Sequence, residues 1–247
     1  MDASENSPTK IFPGFQNRKI MVDYFSWDRV ASAVVQVLPC LWVTVKVVFF
    51  ANLTGIILGL LISEVRIKRT PVLYQVVTVF ISFMRGTPLI VQLMLSYYFV
   101  PRLLGVFGIN AVRWPKLVFA YIAYGLNQAA FVGEMFRSSI EAIPPGQIEA
   151  AKSLGFKGLQ TYRYVIIPQM VRIVLPAFGN DFVGLFQGTS LVYLLGIMDV
   201  MGRANAVGTF SGHYLEPYLV ALVIYVIISL ILNLTFSRIE KHLEKWR

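Results

Sequence analysis

Apolar residues fall in long runs, separated by short polar or basic links. Several runs reach the roughly 20 residues that cross hydrocarbon. The pattern predicts a first span over about Leu38–Ile62 and a second over about Val72–Val100. A third is expected over about Leu117–Phe136 and a last over about Pro217–Phe236. The fourth run, Val165–Ile197, is too long for one straight span at ~1.5 Å per residue. Pro168, Pro176, Gly179, Gly184 and Gly188 interrupt it, so a kinked or broken helix is expected there. Glu64–Pro71, Pro101–Lys116 and Asp199–Glu216 read as links. The expected fold is all-α and integral to the membrane, with about five transmembrane helices within residues 25–247.

Residues 1–24 form a polar, irregular tail without the basic start, short apolar core and small-residue cleavage site of a signal peptide. Phe25–Val37 mixes polar and apolar positions, with Trp27 as an interfacial anchor. It reads as an amphipathic helix lying on the membrane surface, and equally as an extension of the first span. Lys46, inside the first span, is expected to snorkel toward the interface. Gly55 and Gly59 stand four apart, the spacing that lets membrane helices pack closely.

One stretch, Ile143–Gln169, is neither a span nor a short link. Pro144 and Pro145 suit the first turn of a helix. Gly155 suits its end, where a left-handed residue is often needed. Between them Ala150 and Ala151 give a small face, with Ile148 and Leu154 as the apolar residues. A lipid-binding helix would carry more Lys or Trp. A small face favours insertion into a protein groove.

Composition agrees with the spans: 56% of the 247 residues are hydrophobic and 14% are charged, against about 25% charged in a soluble domain. The net charge of +9 fits basic residues flanking spans on the cytoplasmic side better than nucleic-acid binding. Arg66, Lys68, Arg69, Arg137, Lys152, Lys157, Arg163, Arg238, Lys241, Lys245 and Arg247 fall on one side of the membrane. Only Arg102, Arg113, Lys116 and Arg203 occupy the facing links. This asymmetry puts a cytoplasmic loop at about residues 137–164, the C-terminus inside and the N-terminus outside. Lys10, Arg18, Lys19 and Arg29 argue the other way for the N-terminus. The single cysteine, Cys40, excludes an internal disulfide. His213 and His242 are isolated, with no second ligand at metal-site spacing, so neither a metal nor a catalytic group is expected.

No phosphate-binding loop is present, so ATP is not bound by this chain through such a loop. The remaining candidates are breaks in membrane helices, which occur where backbone is buried in protein or lines a cavity. In Arg85-Gly86-Thr87-Pro88, Gly86 and Pro88 loosen the second span, which would let the Thr87 hydroxyl and a freed carbonyl face a solute. The competing explanation is a packing kink with Arg85 paired to an acid. Gln187-Gly188-Thr189-Ser190 offers an amide, two hydroxyls and flexible backbone. The competing explanation there is helix–helix hydrogen bonding. Glu134 and Arg137, three apart on a helix, are expected to form a structural pair.

Taken together, these stretches resemble the permease subunits of ATP-binding-cassette importers for polar amino acids. Glu149-Ala150-Ala151, Gly155 and Ile167-Pro168 are similar to the family's cytoplasmic loop. Arg85-Gly86-Thr87-Pro88 with Val91-Gln92 and Tyr97-Tyr98 resembles the amino-acid branch. So do Gly133-Glu134-Met135-Phe136-Arg137, Ile143-Pro144-Pro145-Gly146-Gln147 and Thr189-Ser190-Leu191. The resemblance implies the type I importer permease fold. It implies that Gly146, Glu149, Ala150, Ala151, Leu154 and Gly155 form a coupling helix docked on a cassette ATPase dimer, which binds ATP and magnesium. It also implies a second permease subunit, identical or related, and an extracytoplasmic amino acid-binding protein. Thr87, Pro88, Gln187, Gly188, Thr189 and Ser190 would line the substrate pathway. Many members carry Lys-Asp where this chain has Gln187-Gly188, so a strongly cationic substrate held by this chain alone is not expected. A stand-alone secondary transporter or channel is the alternative, and it would show coupling-ion ligands or internal repeats. A membrane enzyme ranks third, for want of a catalytic cluster.

Overall fold

The computed structural model describes residues 24–244, which are helical with short connections. The expected tail, residues 1–24, lies outside them except for Tyr24. Helix α1 is Trp27–Val37 and passes through a 3-10 turn, Leu38–Cys40, into α2, Leu41–Lys68. Helices α3, Leu73–Gly86, and α4, Leu89–Val106, follow in tandem. Next come α5, Lys116–Glu141, then α6, Pro145–Ser153, and one turn of α7, Gly158–Thr161. A π-helical turn, Tyr162–Ile166, leads into α8, Ile167–Gly188, and a 3-10 stretch, Thr189–Leu195. Helices α9, Val200–Ser211, and α10, Leu215–Glu244, complete the described chain.

Side-chain contacts give the direction of each crossing. Gly55 backs onto Gln128, Gly59 onto Val132 and Gly133, and Gly125 onto Thr54, so α2 and α5 run parallel. Asn127 reaches Met84 and Ser96 reaches Phe119, so α3 and α4 together form one broken span antiparallel to α5. Tyr124 meets Gly188, and Met170 and Val174 pack near Val132 and Phe136, so α8 is also antiparallel to α5. Gln187 meets Ser229 and Gly179 backs onto Phe236, which turns α10 back along α8. The described residues therefore run the length of the bundle five times, with α6 at the end shared by Lys68 and Glu141, and α9 at the other.

By length and apolarity alone, Trp27–Lys68, Leu89–Val106 and Leu215–Leu243 qualify as spans. Gly158–Leu195 with Val200–Ser211, bent by 46°, makes a fourth. Helix α5 is not among them because Asn127, Gln128 and Glu134 dilute its hydropathy. Those residues are tolerated because α5 is the hub: Phe119, Ala120, Tyr124, Ala129, Ala130 and Val132 are almost wholly enclosed by its neighbours. A helix surrounded by protein answers to packing, not to lipid.

Of the two readings of Phe25–Val37, the extension of the first span is the one found, and not a separate surface-lying helix: it starts a 42-residue helical run, Trp27–Lys68. At ~1.5 Å per residue such a run exceeds the bilayer core. Its first turns lean on protein: Ala33 and Val37 are buried against Val200, Ala204, Val220, Ala221 and Ile224, and Arg29 pairs with Glu216 at 2.7 Å. Pro101–Lys116 is not all link, since α4 continues through Pro101 to Val106. Asp199–Glu216 is mostly helix α9: the buried Asp199 carboxylate accepts from Gly202 N at 2.8 Å as a cap, and Gly212 at φ 73° ends the helix. The Lys46 ammonium lies 5.6 Å from the Trp42 ring centre.

The α2–α5 contact leaves no room for side chains. A Cβ at Gly59 would stand 3.0 Å from both Gly133 N and Val132 Cγ1. Overpacking of this kind costs about 1–3 kcal/mol. Gly59→Leu is expected to lower the unfolding free energy, measured by detergent-driven unfolding, by at least that much. Gly184→Ala, where a Cβ meets nothing within 4 Å, should leave it unchanged.

Candidate functional site

The first break is built by two extended residues, Thr87 (φ −118°, ψ 146°) and Pro88 (φ −62°, ψ 137°). Ending α3 there frees backbone carbonyls that hydrocarbon cannot satisfy. Gln92 takes them up: its amide nitrogen donates to Met84 O at 2.8 Å, Thr87 O at 3.1 Å and Thr87 Oγ1 at 2.9 Å. Asn127 of α5 donates to Gln92 Oε1 at 2.9 Å and to Met84 O at 3.3 Å. The Thr87 hydroxyl donates to Phe83 O at 2.7 Å. Pro88 is exposed and caps the start of α4.

The second break follows the same logic. Gly188 ends α8, and its carbonyl accepts from the Tyr124 hydroxyl at 2.7 Å. Thr189 is fully buried and its hydroxyl donates to Phe186 O at 2.6 Å. Gln187 is exposed and donates to Ser229 Oγ of α10 at 3.1 Å. Gln187, Ser190, Tyr225 and Ser229, with Leu222, Val226 and Leu230, line an open cavity of about 340 Å³. The Tyr225 hydroxyl reaches Asp199 at 3.4 Å, tying this region to the cap of α9.

The two breaks meet. A Cβ at Gly188 would lie 3.8 Å from Leu89 Cδ2, the first side chain after Pro88. All six expected pathway residues, Thr87, Pro88, Gln187, Gly188, Thr189 and Ser190, therefore sit in one region. Thr189 faces inward, while Pro88 and Gln187 are open. Between the breaks lies a polar face of α5 that the sequence reading did not single out: Tyr124, Asn127 and Gln128. Gln128 donates to Asp181 of α8 and to Asn52 Oδ1 of α2 at 3.5 Å. The visible signal was an Asn-Gln pair in an apolar run, together with Gln92 four residues after Pro88.

The short helix expected within Ile143–Gln169 forms as α6. Pro144 precedes it, Pro145 opens it, and Gly155 at φ +82° turns the chain away. The turn is closed by Gly155 N to Lys152 O at 2.9 Å and Phe156 N to Ala151 O at 3.1 Å. Ala151 is the inward residue. Gly146, Glu149 and Ala150 are exposed, and so is Leu154 at 77%, with Leu159 beside it at 83%. This is an apolar surface that the described residues do not cover.

Behind it, the expected Glu134–Arg137 pair is part of a larger cluster. Arg137 also binds Glu141 at 2.5 Å, and Arg66 stands 3.8 Å from Glu134. Arg66 donates to Thr78 at 2.5 Å and lies over the Tyr74 ring. Glu64 binds Lys68 at 2.6 Å and accepts from the Tyr162 hydroxyl at 3.0 Å, linking α2 to the π-helical turn. Arg85 is not paired with an acid among the described residues; its guanidinium sits 5.3 Å from the Phe131 ring centre.

Comparison with known proteins gives a consistent picture. Residues 51–247 match the family model for binding-protein-dependent transport system inner membrane components. The chain is 33% identical over 221 residues to an L-cystine transport system permease protein, TcyL of Bacillus subtilis, covering 90% of this chain and 92% of that one. It is 35% identical over 208 residues to an arginine transport system permease protein, ArtQ of the same species, covering 84% and 92%. A crystal structure of an amino acid ABC transporter superposes with a TM-score of 0.74 at 32% identity, covering 89% of this chain and 98% of that chain. The inward-facing MetNI methionine transporter superposes with a TM-score of 0.68 at 21% identity, covering 89% and 99%, a likeness of fold.

The Gln92 amide serves three acceptors at the first break. Leaving buried acceptors unmet costs about 1–3 kcal/mol. Gln92→Met, similar in length, is expected to destabilise the protein by roughly that amount in thermal unfolding.

Proposed function

The chain belongs to the family of binding-protein-dependent transport system inner membrane components, and from that premise we propose how its parts share the work. It is a permease subunit of an ATP-binding-cassette importer for polar amino acids, a multi-pass component of the inner membrane, and a transport subunit rather than an enzyme. Importers of this family work with an ATPase and a binding protein.

Helix α6 is the coupling helix. Gly146, Glu149, Ala150, Ala151, Leu154 and Gly155 present the surface that enters a groove on the ATPase, and ATP and magnesium belong to that partner. The observation that carries this reading is the capped helix with Leu154 and Leu159 bare at the end where the ion cluster gathers. Water at that surface is displaced when the ATPase covers it, which favours docking. This end is cytoplasmic, the C-terminus lies inside, and the α9 end faces the binding protein. A second permease subunit completes the pore.

Thr87, Pro88 and Gln187 to Ser190 line the pathway where the breaks meet. Alternating access follows if ATPase closure moves α6 and, through α8, the second break. The cavity at Gln187 is lined by an amide, hydroxyls and apolar carbons, with no formal charge. A cationic side chain would lose water there without gaining a counter-charge. This chain therefore favours uncharged polar side chains.

Leu154 is exposed, so its replacement spares the fold. Leu154→Asp and Gly155→Asp are expected to lose the co-purifying ATPase and ATP-driven amino acid uptake, with at least a tenfold loss of ATPase affinity. Gly158→Ala, open on every side, should keep both. Retention of the ATPase by Leu154→Asp, with uptake unaided by ATP, would instead support a stand-alone carrier.

A further inference from the structure

We infer that Arg85 receives the α-carboxylate of the transported amino acid on the cytoplasmic half of the pathway, an inference that rests on the permease reading. Arg85 occupies the last turn of α3, directly before the break. It is exposed, and none of its N–H groups meets an acceptor among the described residues. A charge at membrane depth faces a water-filled cavity or a partner, not lipid. Two features make the charge tolerable before a ligand arrives. The negative end of the α3 dipole lies beside it, and the Phe131 ring centre lies 5.3 Å from the guanidinium carbon, a favourable cation–π separation. The guanidinium N–H donors stay available. That planar fork matches a carboxylate in two parallel bonds.

Glu134 does not fill this role. It is close enough to feel the Arg85 charge, but it is already bound by Arg137 and approached by Arg66. Arg66, Arg85 and Arg137 thus face two carboxylates, Glu134 and Glu141, leaving the mouth with a surplus positive charge. The surplus sits on the one guanidinium of the three whose fork is open. An α-carboxylate is present on every amino acid, so this contact selects the backbone of the substrate. The Gln187 cavity is left to select the side chain.

The test uses the assembled permease–ATPase complex in detergent, with ligand-observed NMR titration of L-glutamine, L-cystine and L-arginine and of their α-carboxamides. Wild type is expected to prefer the free acid over the carboxamide by about tenfold, the size of a charge-assisted pair. Arg85→Gln should abolish that preference by weakening the free acid alone, and Arg85→Lys should retain part of it. A wild-type preference kept by Arg85→Gln, or an equal loss for acid and carboxamide, overturns the inference while leaving the permease reading in place. Failure of either variant to assemble places Arg85 in a subunit contact and overturns it as well. If wild type binds none of the probes and its ATPase ignores the binding protein, the permease reading itself falls, and the inference with it.

Discussion

A helix that stops in the middle of a membrane must hand its backbone carbonyls to another donor, and this structure is arranged around meeting that demand. The donors come from α4 and α5. Tyr124 answers the carbonyl at Gly188, and Asn127, through Gln92, answers those at Met84 and Thr87. Unmet groups of this kind are costly in hydrocarbon. The polar face of α5 can exist only because α5 is enclosed. It is enclosed because Gly55, Gly59, Gly125 and Gly133 let α2 approach within van der Waals contact of its backbone. Small residues in the α2–α5 contact thus permit polar residues on α5, and the polar residues permit the breaks.

The same bonds explain how the breaks can be both ordered and movable. A helix carbonyl bound to its own chain is released only by unwinding. A carbonyl bound to a side-chain amide or hydroxyl changes partner by a rotamer shift. Gln92 already touches three acceptors from one nitrogen, and Gln187 is held to α10 by a single bond to Ser229. Conformational change at these points exchanges hydrogen bonds instead of losing them.

Much of this was legible in the sequence, for reasons that are local. Pro144, Pro145 and Gly155 mark the bounds of α6 because proline and glycine have fixed backbone consequences. The breaks at Thr87 and Gln187 were visible for the same reason, and the Gly55/Gly59 spacing pointed to a close contact that the structure provides. What escaped was tertiary. Asn127 and Gln128 only lower the hydropathy of a span when read along the chain; their use depends on which helices end beside them. Helix α9 escaped because its cap, Asp199, is recognisable only once the side chain is seen turned back on Gly202. The single acid expected beside Arg137 became a cluster because Arg66 and Glu141 come from a different helix and a later turn.

Helix α8 joins the two ends of the molecule. At one end it emerges from the π-helical turn, which Tyr162 pins to Glu64 of α2. At the other it stops at Gly188, where Tyr124 and Leu89 wait. Its 22 residues extend for about 33 Å at ~1.5 Å per residue, and Pro176 does not interrupt them. A body of that length, packed against α5 and α10, cannot absorb a displacement at its base without moving at its tip, since packed interiors transmit strain. In the π-helical turn at its base the hydrogen-bond ladder departs from the α spacing, as it does again in the 3-10 stretch beyond Gly188. In the proposed coupling, motion of α6 enters at the first of these, travels along α8 and acts at a break held by exchangeable bonds.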